Sequence, residues 1–379
     1  MKSLKIWFKE WNQIKIFLNL PLRERKIVFY SEGPGTTSHL RPIIESLTKN
    51  FNQNICFLTS DINDILFEKP NPLVKTFFIG SGSARTFIFP RMESKILVTT
   101  TPNIQSKQLK KSVNTHYIYT NHSPVSTHMV YQENAFDDFD TFLCCGPHQY
   151  EEIKKRESIY NLKPKNLLKI GFPKIDDLLK ISVEERSKKN PIILIAPSWG
   201  TKNIIQDCAI DLIETLIKTN YKIILRPHNM TWRHKSFQIK KIGKHFSSFS
   251  NFSIDKNIDS SNSVLKSDIL ITDWSGIAME YGFGLNKPVL FIDLPPKINN
   301  PNYKNIPIAP LEKSIRSQLG QIIPIEKLDN LNYLKKQLEY SEKKTLNHKK
   351  LGNLWIYNLG KSSQIASEEI IKILQSLEK

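Results

Sequence analysis

Apolar runs alternate with amphipathic stretches along most of the chain, which predicts strands and helices in turn. In the first half the apolar runs are KIVFY, NICFLTS, KTFFIG, KILVTT and THYIYTN, and helical patterns cover residues 39–49 and 148–160. Strands that alternate with helices pair in parallel, because each crossover helix returns the chain to the same edge of the sheet. The first half therefore predicts one α/β domain with a largely parallel sheet.

The second half repeats this rhythm in three clearer units. IILIAPS precedes a helical pattern at 206–218, YKIILRPH precedes one at 234–244, and DILITDWS precedes one that leads into PVLFID. Charge density rises in VEERSKKNP, so we place a domain boundary within residues 175–190. The predicted organisation is an N-terminal amphipathic basic segment, two doubly wound α/β domains and a C-terminal helical segment, at residues 1–25, 26–180, 190–350 and 351–379.

The first twenty residues mix large apolar side chains with four lysines. Trp7, Phe8, Trp11 and Phe17 alternate with Lys2, Lys5, Lys9 and Lys15. This pattern is typical of a helix that lies in a membrane interface, and a helix packed on its own domain is the alternative. No apolar stretch reaches the roughly 20 residues that span a bilayer, and the N-terminus lacks the apolar core of a signal peptide. We therefore expect a cytoplasmic protein, peripheral at the inner face of the membrane.

Length and charge narrow the class of protein. A chain of 379 residues exceeds what one core usually supports, which agrees with two domains. The formal charge of +18 favours anionic partners such as phosphates or acidic lipids, although an AT-rich coding bias produces the same lysine excess. Zinc-finger, RNP-like and helix-turn-helix signatures are lacking and the basic residues are dispersed, so a nucleic-acid partner is not expected. Four cysteines lack zinc spacing and are read as reduced thiols: Cys56, Cys144, Cys145 and Cys208.

Polar side chains follow three strands of the second half, where ligands of a doubly wound sheet bind. Pro197 and Ser198 follow the first strand, Arg226 and His228 the second, and the loop from Thr272 to Gly276 the third. Arginine grips phosphate with a planar fork, and histidine donates to an oxyanion or carries a proton. These loops predict a site for a phosphorylated ligand.

The loop after the third strand carries the sharpest prediction. Ser275 and Gly276 open a predicted helix whose free N–H groups attract anions, and the glycine lets a phosphate approach. Asp273 precedes them, and Glu280 follows at a distance suited to ribose hydroxyls. The alternative is purely structural, with Ser275 as an N-cap and Asp273 as a turn residue.

Two features of the first half carry weaker predictions. The glycine-containing loop Ser31–His39 lacks the Walker and dinucleotide patterns, and we expect it to contact an acceptor. Asp137, Asp138 and Asp140 are read as an exposed turn between buried phenylalanines, with no metal assigned. No cofactor is predicted.

IAPSWG, ILRPH and SDILITDWSGIAMEYGFGLNKPVLFID together resemble the motifs of the CDP-glycerol glycerophosphotransferases, the teichoic acid polymerases and primases. The family's Asp-Tyr-Ser-Ser loop is similar to Asp273–Gly276, with glycine in place of the second serine. Its Pro-Thr pair is similar to Pro197-Ser198, and its Arg-Pro-His to Arg226–His228. The resemblance covers roughly residues 115–295 and implies a GT-B fold, in which two Rossmann-like domains face a central cleft.

The family's His-Gly-Thr-Pro segment, which directs a histidine toward the acceptor, is similar to Asn121–Pro124. The resemblance therefore implies that His122 is the catalytic base, with an acceptor-side first domain and a donor-binding second domain. His228 would assist catalysis, and Thr272, Asp273, Ser275, Gly276 and Glu280 would bind the donor. Chemically a neutral imidazole suits the base, and His116 and His128 compete for that role.

The resemblance implies transfer of a polyol phosphate from CDP-glycerol or a related CDP-polyol to a lipid-linked or saccharide acceptor, with release of CMP. An anionic membrane surface is a further expected partner. The alternative within the same fold is a glycosyltransferase that uses a nucleotide sugar, and a scaffold without activity is a third possibility. Released CMP distinguishes the first of these from the second, which releases a nucleoside diphosphate.

Overall fold

The chain forms two compact α/β units in a computed structural model that describes residues 4–33, 35–68, 70–106, 109–181, 191–257, 261–343 and 347–379. The first unit comprises Met1–His122, Gln132–Asp176 and Ile356–Lys379. The second comprises Ser123–Tyr131 and Asp177–Trp355. Both units are thus discontinuous in sequence, unlike the contiguous domains predicted above. Of the predicted boundary region 175–190, residues 182–190 lie outside the described residues.

The first unit is built on a seven-stranded sheet in which every neighbouring pair is parallel. Its strands are β1 (Ile27–Ser31), β2 (Ile55–Thr59), β3 (Val74–Phe78), β4 (Ile96–Thr99), β5 (His116–Tyr119), β6 (Thr141–Cys144) and β7 (Asn166–Lys169). Their spatial order is β3-β2-β1-β4-β5-β6-β7, so the strand order reverses beside β1. Brief apolar runs such as Ile27–Ser31 are buried along their whole length, as expected for strands that are covered on both faces.

Among the described residues, six α-helices precede the second sheet: α1 (Leu4–Leu18), α2 (Thr37–Phe51), α3 (Ile65–Glu68), α4 (Ser83–Ile88), α5 (Pro147–Ile159) and α6 (Pro173–Leu179), which spans the boundary between the units. Helix α2 places Leu40, Ile43 and Leu47 in the core beside Phe29 of β1 and Phe57 of β2. The i, i+3, i+7 spacing of these side chains puts them on one helical face, and their burial holds the helix against the sheet.

The second unit contains a six-stranded sheet, again with every neighbouring pair parallel. Its strands are β8 (Ile192–Ile195), β9 (Lys222–Leu225), β10 (Phe252–Ile254), β11 (Ile269–Thr272), β12 (Val289–Asp293) and β13 (Gly320–Pro324). The order β10-β9-β8-β11-β12-β13 is the Rossmann order, and β8 and β11 flank the point where the strand order reverses. Ligands of such sheets bind beyond the carboxyl ends of these two strands.

The helices of this unit are α7 (Ile204–Asp207), α8 (Ala209–Leu216), α9 (Asn229–His245), α10 (Asn262–Lys266), α11 (Ile277–Met279), α12 (Leu311–Leu319), α13 (Leu331–Lys343) and α14 (His348–Trp355). Leu212 and Leu216 of α8 and Leu334 of α13 pack with strand residues such as Ile195 and Ile271 in one core. The core positions the strand ends, where the polar loops begin.

The last helix, α15 (Ser362–Leu377), belongs to the first unit. Its Ala366, Ile370 and Leu374 lie in the same core as Leu40 and Ile43 of α2. The C-terminal segment predicted as a separate piece is therefore an integral part of the first core.

Helix α1 combines the two alternatives considered for the N-terminus. Ile14 and Phe17 are buried, and Phe17 meets Phe77 of β3 at 5.5 Å between ring centroids. Trp7 and Phe8 remain 42% and 63% exposed on the same helix. One face of α1 thus packs on the first unit while its first turns offer apolar side chains to the surroundings. Among the described residues, no helix has the length and apolar character needed to cross a bilayer.

Candidate functional site

His122 lies at the carboxyl edge of the first sheet, three residues after β5. Its Nδ1 lies 3.3 Å from the carbonyl oxygen of Thr100, which follows β4. A carbonyl oxygen can only accept, so Nδ1 carries the proton of the neutral ring and Nε2 carries the lone pair. The backbone of one strand end therefore orients the imidazole of the next strand end, with Nε2 as its basic nitrogen.

His39, near the start of α2, is the residue of the predicted acceptor loop that meets His122. The ring centroids are 6.3 Å apart. Burial lowers the pKa of His39 well below its usual range, and the charges of Lys174 and His122 act in the same direction. Its Nδ1 has no hydrogen-bond partner among the described residues. The imidazole of His39 is thus neutral near pH 7, which limits charge repulsion beside His122.

The hydroxyls of the same loop bond to one another. The hydroxyl oxygens of Ser31 and Thr36 lie 2.5 Å apart, and Thr37 donates to the Asp64 carboxylate at 2.6 Å while its oxygen lies 2.9 Å from that of Ser31. Thr59 donates to the same Asp64 carboxylate. This network holds the hydroxyls of the loop in place. We therefore expect the imidazole of His39, and not these hydroxyls, to face a ligand.

The two competing histidines are engaged elsewhere. His116 begins β5 and therefore lies at the amino edge of the sheet, where its Nε2 is 2.8 Å from the hydroxyl of Thr141. Burial lowers its pKa. His128 is buried in the second unit, and its Nε2 donates to the carbonyl of Ile308 at 3.1 Å. These placements favour His122 as the base.

Asp273 organises the switch point of the second sheet. Its carboxylate accepts the N–H groups of Ser198 at 2.7 Å, Trp274 at 2.7 Å and Ile204 at 3.1 Å. Burial raises its pKa, and these N–H groups oppose the shift. The carboxylate of Asp273 thus positions the loops that follow β8 and β11, and its predicted contact with the donor stays a prediction.

The side chains of Thr272 and Ser198 are both buried, whereas the sequence predicted that they line a ligand site. The Thr272 hydroxyl donates to the carbonyl of Ala196 at 2.7 Å and so joins the ends of β11 and β8. Pro197 and Ser198 are buried beside it. The side chain of Thr272 therefore holds the two strand ends together, and its predicted contact with the donor stays a prediction.

Steric crowding within the second unit restricts position 276 to glycine. A Cβ at this position would overlap the hydroxyl of Ser123 and would approach Cγ1 of Val125 to 3.1 Å. The space that a side chain would need is thus filled by the side chains of Ser123 and Val125, and the predicted approach of a phosphate to Gly276 stays a prediction. Ser275 precedes it and is partly exposed, with no hydroxyl hydrogen bond to a described residue. The predicted phosphate contact of Ser275 stays a prediction.

The helix after this loop is shorter than predicted. Helix α11 has three residues and continues as a π-helical turn over Glu280–Gly284. Glu280 is buried at the start of that turn. π-helical turns often occur at functional sites. The predicted contact of Glu280 with ribose stays a prediction.

Arg226 forms an ion pair within the second unit. Its Nη1 lies 2.6 Å from the carboxylate of Asp255 and donates to the Ser263 hydroxyl at 3.0 Å. Asp255 follows β10, the neighbour of β9, so the pair joins two strand ends. This pair positions the loop of His228, and the predicted contact of Arg226 with phosphate stays a prediction.

His228 caps helix α9. Its Nδ1 accepts the N–H of Met230 at 3.1 Å. In the neutral ring Nε2 then carries the proton, which makes this nitrogen a hydrogen-bond donor suited to an oxyanion. The ring of Trp199 lies beside it, with centroids 6.1 Å apart. Loops from β8 and β9 thus meet at His228 and Trp199.

Two cations at this edge were missed by the sequence reasoning. Lys297 follows β12, and its Nζ lies 4.6 Å from the ring centroid of Trp199. Arg316 of α12 stacks on Trp274 at 4.2 Å and donates to the carbonyl of Ile292 at 3.0 Å. Neither residue belongs to a motif. The only sequence signal was the position of Lys297 shortly after a strand of the doubly wound sheet.

The acidic turn and the four cysteines of the sequence analysis have clear surroundings in the structure. Asp137 pairs with Arg156, and Asp140 pairs with Lys111. Across the described part of the chain, no group of three or more His, Cys, Asp and Glu side chains is arranged to hold a metal ion. The four cysteines are free and buried.

Two Rossmann-type sheets, each built of parallel strands with polar loops at the carboxyl edge, define an α/β fold of the GT-B class. Residues 12–294 match the family model of CDP-glycerol:poly(glycerophosphate) glycerophosphotransferase. The chain belongs to this family, which confirms the resemblance found in the sequence.

Solved structures share the fold. The wall teichoic acid polymerase TagF, in a variant soaked with CDPG, has a TM-score of 0.59 and 17% identity, over 99% of this chain and 96% of that chain. UDP-GlcNAc 2-epimerase from Methanocaldococcus jannaschii, in complex with UDP-GlcNAc and UDP, has a TM-score of 0.58 and 14% identity, over 92% and 99%. The Neisseria meningitidis epimerase has a TM-score of 0.54 and 14% identity, over 91% and 100%. No curated protein sequence matches the chain.

Proposed function

We propose that the chain transfers glycerophosphate, or another polyol phosphate, from CDP-glycerol or a related CDP-polyol to a hydroxyl acceptor of a cell-surface polymer. The acceptor oxygen attacks the β-phosphorus, the bond from that phosphorus to the bridging oxygen breaks, and CMP leaves. The acceptor proton passes to a base. Membership of the family supports this reaction class.

The observation that carries the proposal is the orientation of His122. Because Thr100 accepts from Nδ1, the lone pair of Nε2 is fixed on a strand end at the carboxyl edge of the sheet. A general base needs this tautomer and a fixed direction, as well as a pKa near the working pH. His122 would therefore take the acceptor proton.

The donor side draws on the second unit. The Nε2–H of His228 would donate to a phosphate oxygen, since Met230 occupies Nδ1. The Ser275 hydroxyl and nearby backbone N–H groups would bind the diphosphate, and Asp273 and Arg226 would hold the loops. Stabilisation of charge on the transferring group is the dominant contribution to phosphoryl transfer.

The experiment offers the enzyme a panel of CDP-polyols and nucleotide sugars with hydroxyl acceptors and identifies the released nucleotide by mass. We expect CMP. In His122→Gln, turnover should fall by about 100-fold or more, the usual contribution of a general base, with donor affinity nearly unchanged. The matched control is His116→Gln at the opposite edge of the sheet, which should keep its activity.

Release of a nucleoside diphosphate from a nucleotide sugar would instead show a glycosyltransferase, and no release from any donor would show an inactive scaffold. Normal turnover of His122→Gln would remove His122 as the base, with His128 tested next.

The same proposal includes work at the inner face of the membrane on a lipid-linked or saccharide acceptor. The exposed Trp7 and Phe8 on α1, together with Lys5, support contact with an anionic bilayer. Replacing both aromatic residues by serine should weaken binding to acidic liposomes without unfolding the protein, because neither side chain is buried. The control is Val113→Ser, which removes an apolar side chain that is 97% exposed. Equal liposome binding by both variants would remove α1 as the anchor.

A further inference from the structure

Lys297 lies in the connection between β12 and α12, at the carboxyl edge of the second sheet. Four of the six strands of this sheet contribute side chains to the same region: Trp199 after β8, His228 after β9, Asp273 after β11 and Lys297 after β12. The ammonium rests on the face of Trp199, and Trp199 in turn lies beside His228. This cluster surrounds the switch point where ligands of the Rossmann order bind.

The ammonium of Lys297 has no hydrogen bond or ion pair with any described residue, and its one specific contact is the indole of Trp199. The nearby carboxylates have other partners. Asp273 accepts three backbone N–H groups, and Glu312 accepts the N–H of Ser126 at 2.8 Å. Both carboxylates attract the ammonium only over a longer distance.

A partly buried cation without an ion-pair partner destabilises the folded protein unless a bound anion compensates its charge. Burial lowers the pKa of Lys297 to about 8, and the charges of Asp273 and Glu312 oppose that shift. The side chain thus bears an energetic penalty that a structural role does not explain, since a methionine would fill the same space without it.

We propose that Lys297 is a ligand of the donor's diphosphate, and that it supplies the cation that the sequence assigned to Arg226. This inference rests on the proposed function for the presence of a nucleoside diphosphate in the donor. Arg226 is bound to Asp255, whereas Lys297 is available and adjoins His228, the predicted hydrogen-bond donor to phosphate. Lysine acts on phosphate as a point charge, so no fork geometry is required.

The test measures binding of CDP and of cytidine to the whole protein by calorimetry and competition. Lys297→Met should weaken CDP binding by about 10- to 100-fold, the value of a hydrogen bond to a charged group, and should leave cytidine binding unchanged. Lys297→Arg keeps the charge and should bind CDP within about threefold of the wild type. The matched control is Lys304→Met, an exposed lysine of the same connection, which should also bind CDP normally.

Two results would overturn the inference: CDP binding by Lys297→Met within threefold of the wild type, or an equal loss of CDP and cytidine binding, which would indicate a damaged fold. Failure of the proposed function would look different. If the wild type prefers UDP or another nucleoside diphosphate to CDP, the donor assignment is wrong. The effect of Lys297→Met is then read on that nucleotide, because the diphosphate is common to all of them. If the wild type binds no nucleoside diphosphate, both ideas fail.

Discussion

Asp273→Asn should destabilise the second unit through the loss of one specific contact. Oδ1 accepts from Ser198 and Trp274, and an asparagine oxygen can keep both bonds. Oδ2 accepts from Ile204 at 3.1 Å, and there the new amide nitrogen would face another N–H. A hydrogen bond to a charged group contributes about 1.5–3 kcal/mol, and a buried unsatisfied donor adds to the loss, so the expected cost is about 2–4 kcal/mol.

Urea unfolding followed by circular dichroism and tryptophan fluorescence measures this cost. The matched control is Asp268→Asn, because Asp268 accepts a single N–H, that of Ile192, at 2.7 Å and is only partly buried. Its substitution should cost about 1 kcal/mol or less, since water can replace the bond. CDP affinity should fall in Asp273→Asn, because the loop between β8 and α7 loses its anchor at Ile204, and should remain normal in the control. Equal costs in the two variants would refute the view that Asp273 is the organising residue of the switch point.

Three further sets of variants test the remaining contacts. Gly276→Ser should cost about 1–3 kcal/mol by overpacking, and adding Ser123→Gly should recover much of it in urea unfolding; strictly additive costs would contradict the steric explanation. The pKa of His39 is lowered in the folded state, so protonation of its ring favours the unfolded state. The contribution of His39 to stability is fully present above about pH 6.5 and is lost as the pH falls toward the pKa of the folded state. His39→Gln should therefore flatten the decline in unfolding free energy between pH 7 and 5, and an unchanged slope would show that His39 does not titrate this way. Arg226→Gln and Asp255→Asn should each destabilise the protein by about 1–3 kcal/mol, and the cost of the double variant should be smaller than the sum of the two. CDP affinity should stay nearly intact in these variants. A large loss of CDP affinity without loss of stability would show that Arg226 belongs to the donor site.

The buried strands were predictable because parallel strands covered on both faces are continuous apolar runs. KIVFY corresponds to β1 within one residue at each end, and IILIAPS begins with β8 and ends three residues after it. Three of the four edge strands were missed, whereas the edge strand β3 was predicted from KTFFIG. The missed strands β7, β10 and β13 are half-exposed, and their composition resembles that of loops.

The position of the candidate site residues at one sheet edge was predictable, but the partners of their side chains were not. Strand-end position located Ser198, His228 and Ser275, because topology alone brings carboxyl ends together. Which partner a polar side chain takes depends on distant residues: Asp255 lies 29 positions after the Arg226 that it binds. Lys297 had no motif to mark it, since a cation that rests on an indole from another loop leaves no local pattern.

The contribution of α15 to the first core has a consequence for synthesis on the ribosome. Ala366, Ile370 and Leu374 fill the surface of α2, yet they are translated after the whole second unit. Until these residues of α15 leave the ribosome, Leu40 and Ile43 lack part of their apolar cover, and the core of the nascent first unit is incomplete. We therefore expect the second unit to mature first, although its sequence is made later, and a stop codon before Ser362 to leave a protein that chaperones and proteases recognise.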